Sequence, residues 1–312
     1  MPINSDEIKF FDYAANLPEI KALPNPLNIM ALRKVFLSNG LIDACGDYAD
    51  VSITKTHIPT RDGYNIPVRI FNNDLTEKSP ALVMYPGNGY ILDAFEISAI
   101  VFSRIAKMSG IKIIMPEPRL APEHPVTTII NDAYDLGKYV ITHSSQFNID
   151  SSKFFLGGFS SGAHSAAVVA NLARHDPNFK IHHLILFSGM YDATQSNTNY
   201  DKYTIEDKWT TKEGSRFMMN NWGINSSEYK NPIISPVYEK NLSNLPNITI
   251  ICGEYDGLRN HTEEYYLKLK QAGNKCTKIV LAGQTHTTIA YRKIINGDDP
   301  ANTIAQVIKS NL

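Results

Sequence analysis

The sequence predicts an α/β fold: a mostly parallel central sheet flanked by helices, with a helical cap drawn from the N-terminus and from an insertion. Three observations carry this. Short apolar runs alternate with helical segments from Ala81 to the C-terminus. A Gly-x-Ser-x-Gly box at 158–162 stands between the apolar run Lys153–Leu156 and a helix rich in small residues. One region, 190–235, breaks the alternation and reads as an insertion.

In chain order, residues 1–50 read as partly amphipathic helices interrupted at Pro18, Pro24 and Pro26, the expected N-terminal part of the cap. The main domain is expected over 51–312. Val51–Ile58 and Asn65–Phe71 read as strands joined at the Arg61-Asp62-Gly63 turn. Ala81–Tyr85 is then a strand, Ala94–Ser109 a helix, Ile111–Met115 a strand and Thr127–Thr142 a helix after a Pro-rich loop. After the 158–162 box, Ala163, Ala166, Ala167 and Ala170 suit a helix packed closely on the sheet. Strands follow at Ile181–Phe187, Ile248–Cys252 and Lys278–Leu281, with helices at Asn260–Ala272 and Pro300–Leu312. Trp209, the Phe217-Met218-Met219 run and Trp222 in the insertion favour a cap over an apolar cavity, and Asn197, Thr198, Asn199 and Tyr200 add hydrogen-bonding groups to it.

The composition excludes several classes. With 30 basic and 31 acidic side chains the formal charge is −1, so there is no electrostatic footprint for nucleic acid. The N-terminus is acidic and polar, without the basic and apolar segments of a secretory signal, and no apolar run is long enough for a transmembrane helix, so no stable membrane anchor is expected. Cys45, Cys252 and Cys276 lie far apart and read as buried reduced thiols, which points to a cytoplasmic protein. No Cys/His spacing resembles a zinc site, and neither a metal nor an organic cofactor is expected. A homodimer is compatible with the sequence.

Ser160 is the candidate nucleophile. On a strand-to-helix turn its hydroxyl is pushed out above the sheet, and glycines at 158 and 162 avoid collisions with the neighbouring strand and helix. A serine hydroxyl needs a base, and the base an orienting acid, in the chain order Ser, acid, His. Of nine histidines only His261 and His286 follow a plausible acid strand, and His261 lies too close to Asp256 to be an independent partner. His286, in the loop leaving the last strand, is the candidate base. Asp256, in the loop after Ile248–Cys252, is the candidate acid, with Glu254 its rival. Oxyanion donors are expected from the backbone N–H of Ser161 and from an earlier loop that permits close backbone approach, for which Tyr85-Pro86-Gly87-Asn88-Gly89-Tyr90 fits, with two glycines flanking Asn88.

On these residues the chain resembles the hormone-sensitive-lipase-like branch of the α/β-hydrolases. The most specific match is Arg119-Leu120-Ala121-Pro122-Glu123-His124-Pro125 followed by Asn131-Asp132-Ala133-Tyr134, similar to the family's Y-R-L-A-P-E-H-x-(F/Y)-P-A…D segment. Ile234-Ser235-Pro236, Leu245-Pro246 and Glu254-Tyr255-Asp256-Gly257-Leu258-Arg259 extend it, so that it runs in order from about residue 50 to the end. Departures are Pro86 and Asn88 in the H-G-G-G loop, Phe159 before the serine, and Gly257, Asn260 and Thr287 in the later loops. The resemblance implies that the N–H groups of Asn88 and Gly89 are the oxyanion donors of the H-G-G-G position, and that Glu123 and His124 brace the site. It also implies a serine carboxylesterase with a small-molecule ester as its partner, and small to medium acyl chains are expected because the sequence carries no membrane-binding or long-chain lipase feature. A non-catalytic small-molecule receptor on the same fold, and a hydrolase of amides, carbamates or lactones, are the alternatives.

Overall fold

The computed structural model describes residues 3–74, 76–196 and 210–312. Its frame is an eight-stranded sheet: β1 (Ile53–Pro59), β2 (Asn65–Phe71), β3 (Ser79–Tyr85), β4 (Lys112–Pro116), β5 (Ile149–Phe159), β6 (His183–Phe187), β7 (Asn247–Gly253) and β8 (Cys276–Leu281). The spatial order is β1-β2-β4-β3-β5-β6-β7-β8. The hairpin β1–β2 is antiparallel, β2 meets β4 antiparallel, and every later pairing is parallel. β4 is buried at every residue, because a parallel strand carries helices on both faces.

Preceding the sheet are α1 (Ser5–Asn16), α2 (Pro18–Lys21), α3 (Ile29–Phe36) and α4 (Asn39–Cys45). Asn4, Asn28 and Ser38 cap α1, α3 and α4 through their side chains, and Pro18 opens α2 where its missing N–H costs nothing. On one face of the sheet, these helices pack with α5 (Phe95–Ser109) and the last helix, Pro300–Lys309, over Phe71, Leu82, Phe155 and Ile251. The opposite face carries α6 (Val126–Thr142), α7 (Ser161–Ala173) and a helix at Arg259–Gln271. A third apolar cluster, with Tyr90, Leu92, Met190, Met219, Trp222 and Leu258, lies above the carboxyl ends of the strands. The helix Lys212–Asn220, within the expected insertion, is capped by Thr211 and contributes to this cluster. In chain order Lys212–Asn220 is α8, Arg259–Gln271 α9 and Pro300–Lys309 α10.

The parallel register puts the strand ends in one row: Tyr85 pairs with Gly158, Phe159 with Phe187, Phe187 with Ile251 and Gly253 with Leu281. Loops leaving this row face the crevice where open α/β sheets hold ligands. Trp209 and Asn197, Thr198, Asn199 and Tyr200 lie outside the described residues. Among the described residues, no helix is long and apolar enough to cross a membrane.

Candidate active site

Ser160 follows β5 directly and caps α7, with φ 55° and ψ −120°. A non-glycine residue at positive φ is strained, and here the surroundings impose it. The Ser160 N–H donates to the Phe187 carbonyl at 2.9 Å, which ties the turn to β6. A Cβ on Gly162 would overlap the Tyr85 carbonyl, and one on Gly158 would overlap the Gly162 backbone, so the turn closes only with glycine at both.

The structure brings Ser160, His286 and Asp256 into one hydrogen-bonded series. His286 Nε2 lies 3.0 Å from Ser160 Oγ, and His286 Nδ1 lies 3.0 Å from Asp256 Oδ1. Asp256 is fully buried, and its Oδ1 also accepts the Leu258 N–H at 2.8 Å, which fixes the carboxylate. Such a series can lower the barrier to attack by the hydroxyl, because the imidazole can accept its proton while the carboxylate stabilises the resulting cation. Phe159 lies beside the imidazole with ring centroids 4.9 Å apart.

The rivals stand elsewhere. Glu254 accepts the Gly283 N–H at 2.8 Å, and that bond holds its carboxyl below the ordinary range. His261 is buried, its Nδ1 accepts the Asp192 N–H at 3.2 Å, and burial pushes its pKa down to about 4. Glu123 forms a two-pronged pair with Arg33 of α3 at 2.7 and 2.8 Å, which lowers its carboxyl to about 2. Arg33 also donates to the Ile91 and Ala121 carbonyls, both at 2.7 Å, so the Glu123 segment is clamped to the loop after Gly89.

That loop holds the expected oxyanion donors in unequal states. The Asn88 N–H donates to Ser161 Oγ at 3.0 Å, and the Ser161 hydroxyl donates back to Asn88 Oδ1 at 3.1 Å. Asn88 Oδ1 also accepts the Tyr90 N–H at 3.0 Å. The Trp222 indole donates to the Gly89 carbonyl at 3.0 Å. Tyr90 in turn donates to the Ser161 carbonyl at 2.9 Å and lies against buried His164, whose pKa burial pushes down to about 4.

A cavity of about 130 Å³ opens beside Ser160. Its walls are mainly apolar: Phe36 of α3, Phe159, Met190, Met218, Trp222, Leu258 and Tyr291 among them, with Asn88, Gly89, Ser161 and His286 at its polar end. Among the described residues no group of three or more His, Cys, Asp or Glu is arranged to hold a metal ion.

Sequence reasoning missed Arg33, Tyr90, His164 and Glu7, whose buried carboxyl accepts the Thr285 and Thr288 hydroxyls on either side of His286. Only Glu7 left a signal: it falls on the same face of α1 as Phe10, Phe11 and Ala14, a charge inside an apolar stripe.

An eight-stranded, mostly parallel sheet with a strained Ser-bearing turn after β5 and Asp and His on the loops after β7 and β8 defines the α/β-hydrolase class. The alpha/beta hydrolase fold family model matches residues 82–290, and the chain belongs to that family, in its hormone-sensitive-lipase-like branch. It is similar to an arylesterase of Saccharolobus solfataricus, 24% identical over 300 residues and covering 92% of each chain. It is also similar to an ethyl acetate hydrolase of Pseudomonas putida, 23% identical over 86% of this chain and 85% of the other. The solved structure of a hyperthermophilic esterase from Pyrobaculum calidifontis superposes with a TM-score of 0.89 at 27% identity, covering 99% of both chains.

Proposed function

We propose that the protein is a serine carboxylesterase that hydrolyses small to medium acyl esters through an acyl-enzyme intermediate. The observation that carries the reading is the unbroken Asp256–His286–Ser160 series, both links 3.0 Å, at the polar end of an apolar cavity. Ser160 Oγ attacks the ester carbonyl carbon and its proton passes to His286 Nε2. Asp256 holds the imidazole in the accepting tautomer and stabilises the cation. As the alcohol leaves, it takes the proton from His286, and water then repeats the attack on the acyl-enzyme with the same proton route. The N–H groups of Gly89 and Ser161 receive the negative charge on the tetrahedral oxygen, joined by that of Asn88 as its bond to the Ser161 hydroxyl yields.

Substrate size follows from the cavity. At about 130 Å³ it is comparable to the protein cavity of about 150 Å³ that takes up benzene, so it suits a short acyl chain or a single ring. The names of the arylesterase and ethyl acetate hydrolase relatives agree with esters of that size. We assign the cap to residues 1–50 and about 190–235, over a catalytic domain of 51–312, since Phe36 comes to the cavity from the first segment and Met218 and Trp222 from the second. The three cysteines are free and buried, which fits the cytoplasm.

The test is hydrolysis of p-nitrophenyl esters from acetate to palmitate, run beside Ser160→Ala. Turnover should peak at short or medium chains and vanish in the variant while the fold is kept. Full turnover by Ser160→Ala would remove Ser160 as the nucleophile. No turnover on any chain by folded wild type would favour a receptor, or a hydrolase of amides, carbamates or lactones.

A further inference from the structure

We propose that Glu7, in the N-terminal helix α1, is a positioning residue for His286, holding from behind the loop that carries the imidazole. The proposal rests on the reading of His286 as the general base.

The loop after β8 contains no helix or strand, and its own bonds include the Thr285 N–H to Thr288 Oγ1 at 3.0 Å and the Ala290 N–H to the Thr287 carbonyl at 2.9 Å. Glu7 adds a brace from outside the loop. Its side chain is fully buried, and its oxygens are met by residues on either side of His286. Oε2 accepts the Thr285 hydroxyl at 2.7 Å, Oε1 accepts the Thr285 N–H at 3.4 Å, and Oε1 also accepts the Thr288 hydroxyl. An ionised carboxylate only accepts hydrogen bonds, and burying one is costly unless donors surround it. Here those donors belong to the residue before His286 and the residue two after it.

The helix itself is fastened to the same region. The Asn4 N–H donates to the Gly283 carbonyl at 3.0 Å, and Asp6 accepts the Asn296 N–H at 3.3 Å. Phe10, one helical turn beyond Glu7, stacks on Tyr291 with centroids 4.1 Å apart, and Tyr291 lines the cavity. A shift of α1 is therefore passed to the loop that carries the imidazole through three hydrogen bonds to Thr285 and Thr288, which are directional. The first turn of the chain thereby becomes part of the apparatus that sets the reach of His286 to Ser160.

Glu7→Gln tests this, because its amide would present N–H groups where Thr285 and Thr288 already donate. In the full-length protein kcat should fall by about 10- to 100-fold, as for a base displaced by a fraction of an ångström to an ångström. KM should stay within about threefold, since the cavity that binds the ester is untouched. Thr288→Val, which keeps the shape but removes both the donor to Glu7 and the acceptor of the Thr285 N–H, should lower kcat in the same direction by a smaller factor. If Glu7→Gln does not fold, Thr288→Val decides between positioning and no effect on its own. A spectroscopic signature separates positioning from mere stability. The far-downfield proton of the His286–Asp256 hydrogen bond, identified by its loss in His286→Ala, should broaden or shift in Glu7→Gln. Wild-type kcat and an unchanged resonance in Glu7→Gln and Thr288→Val, with only the unfolding midpoint lowered, would overturn the proposal. Turnover retained by His286→Ala would sink the base assignment itself, and this proposal with it. Loss in His286→Ala with full turnover in both other variants sinks this proposal alone.

Discussion

The side chain of Asp256 has two demands on one oxygen: Oδ1 accepts both the His286 Nδ1–H and the Leu258 N–H. Asp256→Asn would place an amide there that is free to rotate. With its NH₂ facing His286, the proton is driven to Nε2, which then points a donor at Ser160 and cannot accept a proton. We expect kcat to fall by about 10⁴-fold with the fold and KM little changed, as for this substitution in Ser-His-Asp enzymes. Steady-state kinetics beside circular dichroism would check it, and a loss under about tenfold would contradict the role given to Asp256. Ser160, Asp256 and His286 could be singled out in the sequence because each follows an apolar strand run, so chain order alone carries it to the same sheet edge. The Ser161–Asn88 bracket could not. Whether a hydroxyl at 161 meets an amide at 88 depends on loop shape, and loop shape is set by contacts such as Trp222 to the Gly89 carbonyl, across 133 positions of sequence.

At the level of elements, the strands were legible to within a few residues, because β3, β4, β6 and β7 carry near-continuous apolar runs and β1 and β2 flank a recognisable turn. β5 is the instructive difference: it begins at Ile149, ahead of the expected Lys153, although Asp150, Ser151 and Ser152 are polar and not buried. Backbone pairing of Ile149 with Ser79 extends the strand past a register shift, and hydropathy does not register main-chain pairing. The short helices α2 and α4 were unreadable singly, since four to seven residues show little periodicity. Function at this scale belongs to the elements above the sheet. Met218 of α8 reaches the cavity beside Gly89, and Phe36 closes it from α3. Met218→Ala removes a long, flexible side chain from that wall. The favoured p-nitrophenyl ester should therefore move toward longer acyl chains, with kcat/KM on the longer esters rising about 10-fold, the gain of roughly two methylenes' worth of burial. A chain-length profile identical to wild type would show that Met218 does not bound the acyl site.

Taken as a whole, the molecule keeps three histidines buried in neutral form. His164, His183 and His261 are each pushed from the usual 6.5 to about 4, in every case chiefly by burial. A histidine whose folded pKa is depressed binds its proton in the unfolded chain first. Its contribution is therefore intact above pH 6.5 and is lost as pH falls from there towards 4, the reverse of a histidine held by a carboxylate. The depressed carboxylates titrate later: Asp62 and Glu123, each lowered to about 2 by hydrogen bonding, chiefly from Thr60 and Arg33 respectively, lose their contribution only below the ordinary carboxyl range. Both are substantially exposed, so solvent screening leaves that second phase small. Acid destabilisation should thus begin well above the range where carboxylates protonate, with a loss of about 1 kcal/mol per histidine by pH ~5.5. Calorimetric unfolding at pH 5.5 in buffers of different ionisation heat should reveal an uptake of roughly two to three protons that is absent near pH 8. A flat midpoint and no proton uptake between pH 7.5 and 5.5 would mean that these histidines ionise in place, and that the core around them admits water.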